Sequence, residues 1–193
     1  TWIRKAKPED LLYSSIFFDF KGTYGDLSIS RQLKDSLFAS LRGWSGFLRN
    51  MTENALYFRP PIGLFGKLKV ASEGRHKDSF DIKYAMLPIT DVTRIYALQN
   101  NIYQTNTLAR LFRLYTKHAI SAKEYHNIVQ SYNFLMKLRF RRQITNIMDE
   151  GTPPDNHINP DNLSHLDRHM LKEIFKTIES FQQKLNMEFT GVV

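Results

Sequence analysis

The sequence predicts a mainly α-helical fold, an antiparallel helical bundle with a small β element: a short strand near 15–20 and a possible hairpin near 64–83. Three observations lead there. Beyond residue 88, apolar residues recur almost throughout at helical spacing. Capping signatures open two long helical stretches in the last third of the chain. Proline, glycine and polar clusters confine the candidate strands to short pieces of the first half. Of 193 residues, 42% are hydrophobic and 13% aromatic, which supplies a core and excludes a wholly disordered chain.

Taken in order, Pro8, Glu9 and Asp10 suit a first helical turn. The bulky, partly β-branched run Ser15, Ile16, Phe17, Phe18, Asp19, Phe20 suits a buried strand. Gly22 and Gly25 then turn the chain. From Ser30, the residues Leu33, Leu37, Phe38 and Leu41 fall on one helical face, and a second helix is expected over 47–58. Arg59, Pro60 and Pro61 end it. Two short strands, 64–70 and 79–83, would flank a polar loop at 72–77. Ile89, Val92, Ile95, Tyr96 and Leu98 mark a helix reaching about Asn100, and 107–117 marks another. Ser121 and Glu124 form a capping box for a helix running to about Glu150, where Gly151, Pro153 and Pro154 stop it. Ser164 and Asp167 open a last helix through Phe189. Two long helices joined by a loop should pack antiparallel.

Composition narrows function by exclusion. The chain has no cysteine, so disulfides, thiolate zinc sites and thiol nucleophiles are ruled out together. No apolar run is long enough to span a membrane. The first residues do not resemble a signal peptide and read as a cut inside a longer protein. A net charge of +8 favours anionic partners, although a basic surface alone does not define function. No nucleic-acid motif accompanies that charge, so nucleic acid is not the expected partner. Phosphate-loop, dinucleotide, zinc-protease and nucleophile-elbow motifs are all missing. His165 and His169 share a helix face, but a metal would need a third ligand, and exposed residues at a helix start are the simpler reading. Arg139, Arg141 and Arg142 could bind phosphate, but ion-paired residues on an amphipathic helix are the preferred reading.

Asp19 is more informative. On a strand it would share a face with Phe17 and Lys21. A partly buried carboxylate needs a partner, which could be Mg²⁺ or a structural Lys or Arg. The residues alone favour the structural ion pair.

Phe17 to Lys21 followed by Gly25, Asp26 and Leu27 resembles the D-x-R…G-x-L segment of PII-uridylyltransferases and glutamine-synthetase adenylyltransferases. Asp81, Ile82 and Lys83, with Asp91 beyond them, resembles a second element of those enzymes. Across 15–25, 59–66, 81–98, 106–111 and 151–164 the chain is similar to the C-terminal portion of bacterial signal-transduction proteins that join CBS or cyclic-nucleotide-type sensor modules to a nucleotidyltransferase-like domain. The resemblance implies that Asp19 is a catalytic carboxylate and Mg²⁺ ligand in the intact protein. It implies that Lys21, Lys83, Asp81 and Asp91 belong to the nucleotide site. It also implies a nucleoside triphosphate, a protein acceptor, upstream sensor and catalytic modules as partners, and a cytoplasmic location. Residues 1–100 would be the end of the nucleotidyltransferase-like region and 101–193 a C-terminal helical bundle.

Departures from the pattern qualify that expectation. The upstream G-S…D-x-D element is missing, so this chain alone would be catalytically incomplete. Leu87 and Pro88 replace a Gly-Gly turn, Thr90 replaces an arginine, and Lys21 stands where those enzymes carry Arg. The alternative is a non-catalytic regulatory or protein-interaction module.

Overall fold

A computed structural model describes residues 18–42, 45–63 and 66–191. Among them are six α-helices, α1 Leu27–Leu41, α2 Ser45–Ala55, α3 Ile82–Gln99, α4 Thr107–Thr116, α5 Ala122–Met148 and α6 His165–Thr190. The strands are β1 Phe80–Asp81 and β2 His157–Ile158, paired antiparallel with Phe80 opposite Ile158. The fold is mainly α with a small β element. No helix among the described residues is long and apolar enough to cross a membrane.

The chain forms two compact units, each drawn from separated stretches. Among the described residues, the first comprises 18–42, 45–57, 90–125 and 183–191. Here Asp26 caps α1 by accepting from the Ser28 amide at 2.9 Å, so the helix begins before Ser30. Only Phe38 and Leu41 of α1 are buried, while Leu33 is half-exposed. The core gathers Phe18, Phe38, Phe47, Ile95, Leu111 and Leu114. Phe18 meets Phe38 edge-on with centroids 6.3 Å apart and lies 5.6 Å from Phe47. Asn101 and His118, at φ 52 and 59, take the left-handed conformation just beyond α3 and α4.

The second unit comprises 58–89 and 126–182. In it α5 buries Ile128, Ser131, Leu135 and Leu138, a three-four alternation that keeps one stripe inward. On α6 the matching stripe is Leu171, Ile174, Phe175, Ile178 and Phe181. Phe175 meets Phe80 of β1 edge-on at 5.9 Å. Gly151, at φ 61, supplies the turn after α5 that a side chain would oppose.

Two expectations about the β element are corrected. Residues 15–17 of the expected first strand lie outside the described residues, and 18–20 form a turn and bend instead of a strand. Among the described residues of 64–83 no hairpin ladder forms either. Residues 64 and 65 fall outside the described set, and Leu68 makes an isolated bridge to Ile62. The polar loop is closed, but by backbone bonds from Ala71 to Ser79 (2.9 Å) and from Asp78 to Ala71 (2.8 Å). Phe80 and Asp81 pair instead with the distant 157–158 segment, which lets Phe80 and Ile158 be buried together.

The strand also ends early, because Asp81 accepts from the amides of Lys83 (2.7 Å) and Tyr84 (3.2 Å) and so caps α3. Pro88 lies inside α3 and removes one helical hydrogen bond. Burial of Ala85, Met86 and Ile89 holds the helix regardless.

The capping box at the start of α5 forms as expected. The Ser121 amide donates to Glu124 Oε2 at 2.7 Å, and the Glu124 amide donates to Ser121 Oγ at 3.2 Å. Glu124 Oε1 also accepts from Lys184 Nζ of α6 at 2.7 Å. Burial works to raise the Glu124 pKa, but the hydrogen bonds from Lys184 and Ser121 outweigh it and hold it below the usual carboxylate range. Its stabilising contribution is therefore full above the unfolded-state value of 4.5 and is lost as pH falls through the lower folded-state value. Glu124→Gln, which retains a capping side chain, should flatten the loss of Tm on acidification below pH 4.5 relative to wild type. Thermal melts across that pH range check it. Deleting the buried Phe175 ring as Phe175→Ala should cost about 3–5 kcal/mol in urea unfolding.

Candidate functional site

Asp19 and Asp91 are brought together in the first unit by one arginine. Arg94 on α3 donates from Nε (3.1 Å) and Nη2 (2.8 Å) to Asp19 Oδ2, and from Nη1 to Asp91 Oδ1 at 2.7 Å. Arg110 on α4 donates from Nη2 to Asp19 Oδ1 and from Nε to the Gln104 carbonyl at 2.7 Å. The Asn106 cap positions α4 so that Arg110, with a side chain only 3% exposed, lies beside buried Leu111 and Leu114.

Charge alternates along this chain, and burial shapes it. Burial pushes the Asp91 carboxyl upward against the pull of Arg94, and the Asp19 charge adds to the rise. Burial lowers Arg110, against the hydrogen bond and charge of Asp19. Lys34 nearby is lowered by burial and by the charge of Arg110. Both carboxylate oxygens of Asp19 are therefore engaged by guanidinium donors. An Mg²⁺ ion at Asp19 would share the carboxylate with those two cations or displace one of them.

The remaining site residues suggested by the sequence lie elsewhere. Lys21 is exposed in the segment before α1. Asp81 and Lys83 belong to the second unit, where Asp81 is the α3 cap and Lys83 is exposed. The stretch compared with a Gly-Gly turn, at Leu87 and Pro88, is helical.

The second unit contains a cavity of about 660 Å³ that no sequence motif announced. Among its lining residues are Arg141, Arg142, His157, Asn159, Asn162 and Ser164. One wall is fixed by Asn146, which is 1% exposed. Its Nδ2 donates to Glu150 (2.8 Å) and Thr152 (3.2 Å), and its Oδ1 accepts from the Asp155 amide at 3.1 Å. Arg142 grips Asp155 with Nε and Nη2, both at 3.1 Å, and Glu150 with Nη1 at 2.6 Å. Burial works to raise Asp155, but the bonds from Arg142 and the His157 amide win and keep it ionised. Arg139 bonds Asn156 at 2.8 Å, and Arg141 bonds Asp167 at 3.0 Å. The ion-paired reading of Arg141 and Arg142 is thus what the structure shows. Arg141 spends one N–H on Asp167 and is among the residues that line the cavity.

A family profile described as "Putative nucleotidyltransferase substrate binding domain" matches residues 45–189. The chain belongs to this family. No curated protein and no solved structure matches it. The substrate-binding-domain match spans α2 to α6, and with them the whole cavity, Asp81, Lys83 and Asp91. Asp19 and Lys21 precede the matched stretch.

Among the described residues, one group of side chains has the composition and spacing to hold a metal: His76, Asp155 and His157. Asp19 is not part of it. His165 and His169 are both exposed and lie outside it as well.

The acid–arginine chain carries a directional prediction. Asp19→Asn leaves Arg94 and Arg110 facing each other without their shared anion, and should cost about 3 kcal/mol. Arg110→Met, which leaves Asp19 paired with Arg94, should cost clearly less. Urea unfolding midpoints of the two variants decide it.

Proposed function

We propose that this chain is the substrate-binding part of a signal-transduction nucleotidyltransferase of the PII-uridylyltransferase-like kind, binding a nucleoside triphosphate without transferring it alone. The observation that carries the reading is the cavity of about 660 Å³ inside the family's matched segment. Its chemistry suits a phosphorylated ligand. Arg141 offers planar N–H donors to phosphate oxygens. The N-terminus of α6, capped where Ser164 Oγ accepts from the Asp167 amide at 3.0 Å, opens at the same wall and adds a positive dipole end. The acids there, Glu150 and Asp167, are already paired with Arg142 and Arg141.

The missing G-S…D-x-D element and the engagement of Asp19 by two arginines support the reading that this chain alone is catalytically incomplete. A two-metal transfer needs carboxylates that can face cations, and Asp19 as held here faces guanidinium groups instead. The acceptor in the intact protein would be a protein hydroxyl, which rests on the family resemblance. The same neutralisation of Asp19 favours a second reading, a regulatory or protein-interaction module in which the acid–arginine chain is purely structural.

Incubation with Mg²⁺, each labelled nucleoside triphosphate and a cell lysate should leave no covalent label attributable to this chain. Equilibrium dialysis should detect nucleotide binding that Arg141→Ala weakens at least tenfold and that a remote exposed change, Lys67→Ala, leaves unaltered. Transfer by the chain alone would remove the claim of incompleteness. Absence of binding, or binding indifferent to Arg141, would leave the regulatory reading standing.

A further inference from the structure

We propose that His76, Asp155 and His157 form a binding site for a zinc-class divalent cation at the wall of the cavity. One ligand atom from each side chain lies within 4.8 Å of the others, and side-chain rotation would bring them to the 2.0–2.2 Å bonds of a zinc site. The two imidazoles are stacked, with ring planes 7° apart and centroids 3.4 Å apart, so one ring must turn for both in-plane nitrogen lone pairs to meet the ion. Neither ring makes a hydrogen bond among the described residues, and Nδ1 of His157 is shielded from solvent with no partner. That nitrogen is a buried polar atom whose satisfaction the structure otherwise lacks.

The surroundings support ligation. Asp155 is oriented by Arg142, as outer-shell partners orient ligating carboxylates, and the Arg142 charge is itself balanced by Glu150. His76 comes from the polar loop closed at Ala71 and Ser79, while Asp155 and His157 come from the segment that ends in β2. An ion would therefore staple the loop to the strand.

Two imidazoles with one carboxylate select zinc-type cations over Mg²⁺, which prefers oxygen donors and keeps its waters. Three protein ligands leave a fourth position for water or for an anionic group of the cavity's occupant. This site is independent of Asp19 and does not require the nucleotide reading.

The test uses the chain without an affinity tag, stripped with chelator and titrated calorimetrically with Zn²⁺ and, separately, Mg²⁺. One Zn²⁺ per chain should bind and raise Tm, and Mg²⁺ should neither bind there nor compete. Substituting Co²⁺ should give the visible absorption of a low-symmetry site. His76→Ala, a loop change, should weaken Zn²⁺ on the order of 100-fold, the upper end of what loss of even an outer-shell partner costs. His169→Ala should bind as wild type does. The proposal is overturned if wild type takes up no Zn²⁺, if His76→Ala binds equally tightly, or if the loss follows His169. Should His157→Ala fail to fold, the His76 and His169 pair still decides the matter.

Discussion

The second unit depends on one buried amide. Asn146 lies near the end of α5 with almost no exposure, and both ends of its side chain are committed to the segment that follows the helix. Leaving such a group unpaired would cost the full penalty of desolvation, so the loop is obliged to return to it. That return carries Asp155 to Arg142, presents the Asn156 carbonyl to the Ile82 amide at 2.9 Å, and delivers His157 and Ile158 to β1. The cavity wall, the two-stranded sheet and the entry to α3 all follow from it.

In the first unit the organising constraint is charge. Two acids and two arginines alternate so that each carboxyl group meets a guanidinium. The arrangement ties the segment before α1 to α3 and α4 through side chains. It also explains why 18–20 need not be a strand: Phe18 is held by the aromatic core, and the neighbouring carboxylate by guanidinium groups, with no ladder required. Buried ion pairs of this sort hold geometry more surely than they add stability, since desolvation offsets much of the attraction.

The helices were legible in the sequence because their signals are local. Ser121 with Glu124, Ser164 with Asp167, and the apolar stripe of α6 each lie within a turn or two of their partners. A small β element was legible too, and Phe80–Asp81 falls within the strand expected over 79–83, but its pairing was not, because the partner of Phe80 lies at Ile158 and nothing near Phe80 distinguishes that pairing from a hairpin. Asp81 has two roles where one was expected, as the last residue of that strand and as the cap that opens α3. Of the site, the meeting of Asp19 with Asp91 emerges only through Arg94, which no motif singled out. The Asp155 and His157 pair has a readable spacing, but His76 is distant in sequence, and only the folded chain shows the three together.

Glu124 serves two partners with its two oxygens, closing the α5 cap through one and holding Lys184 of α6 through the other. The bond to position 121 runs to a backbone amide, which every residue but proline keeps, while the bond to position 184 needs a side-chain donor. The same carboxylate therefore makes two demands of unequal strictness: sequence drift can pass through 121 without breaking its hold there, but a change at 184 releases the last long helix from the start of the one before it.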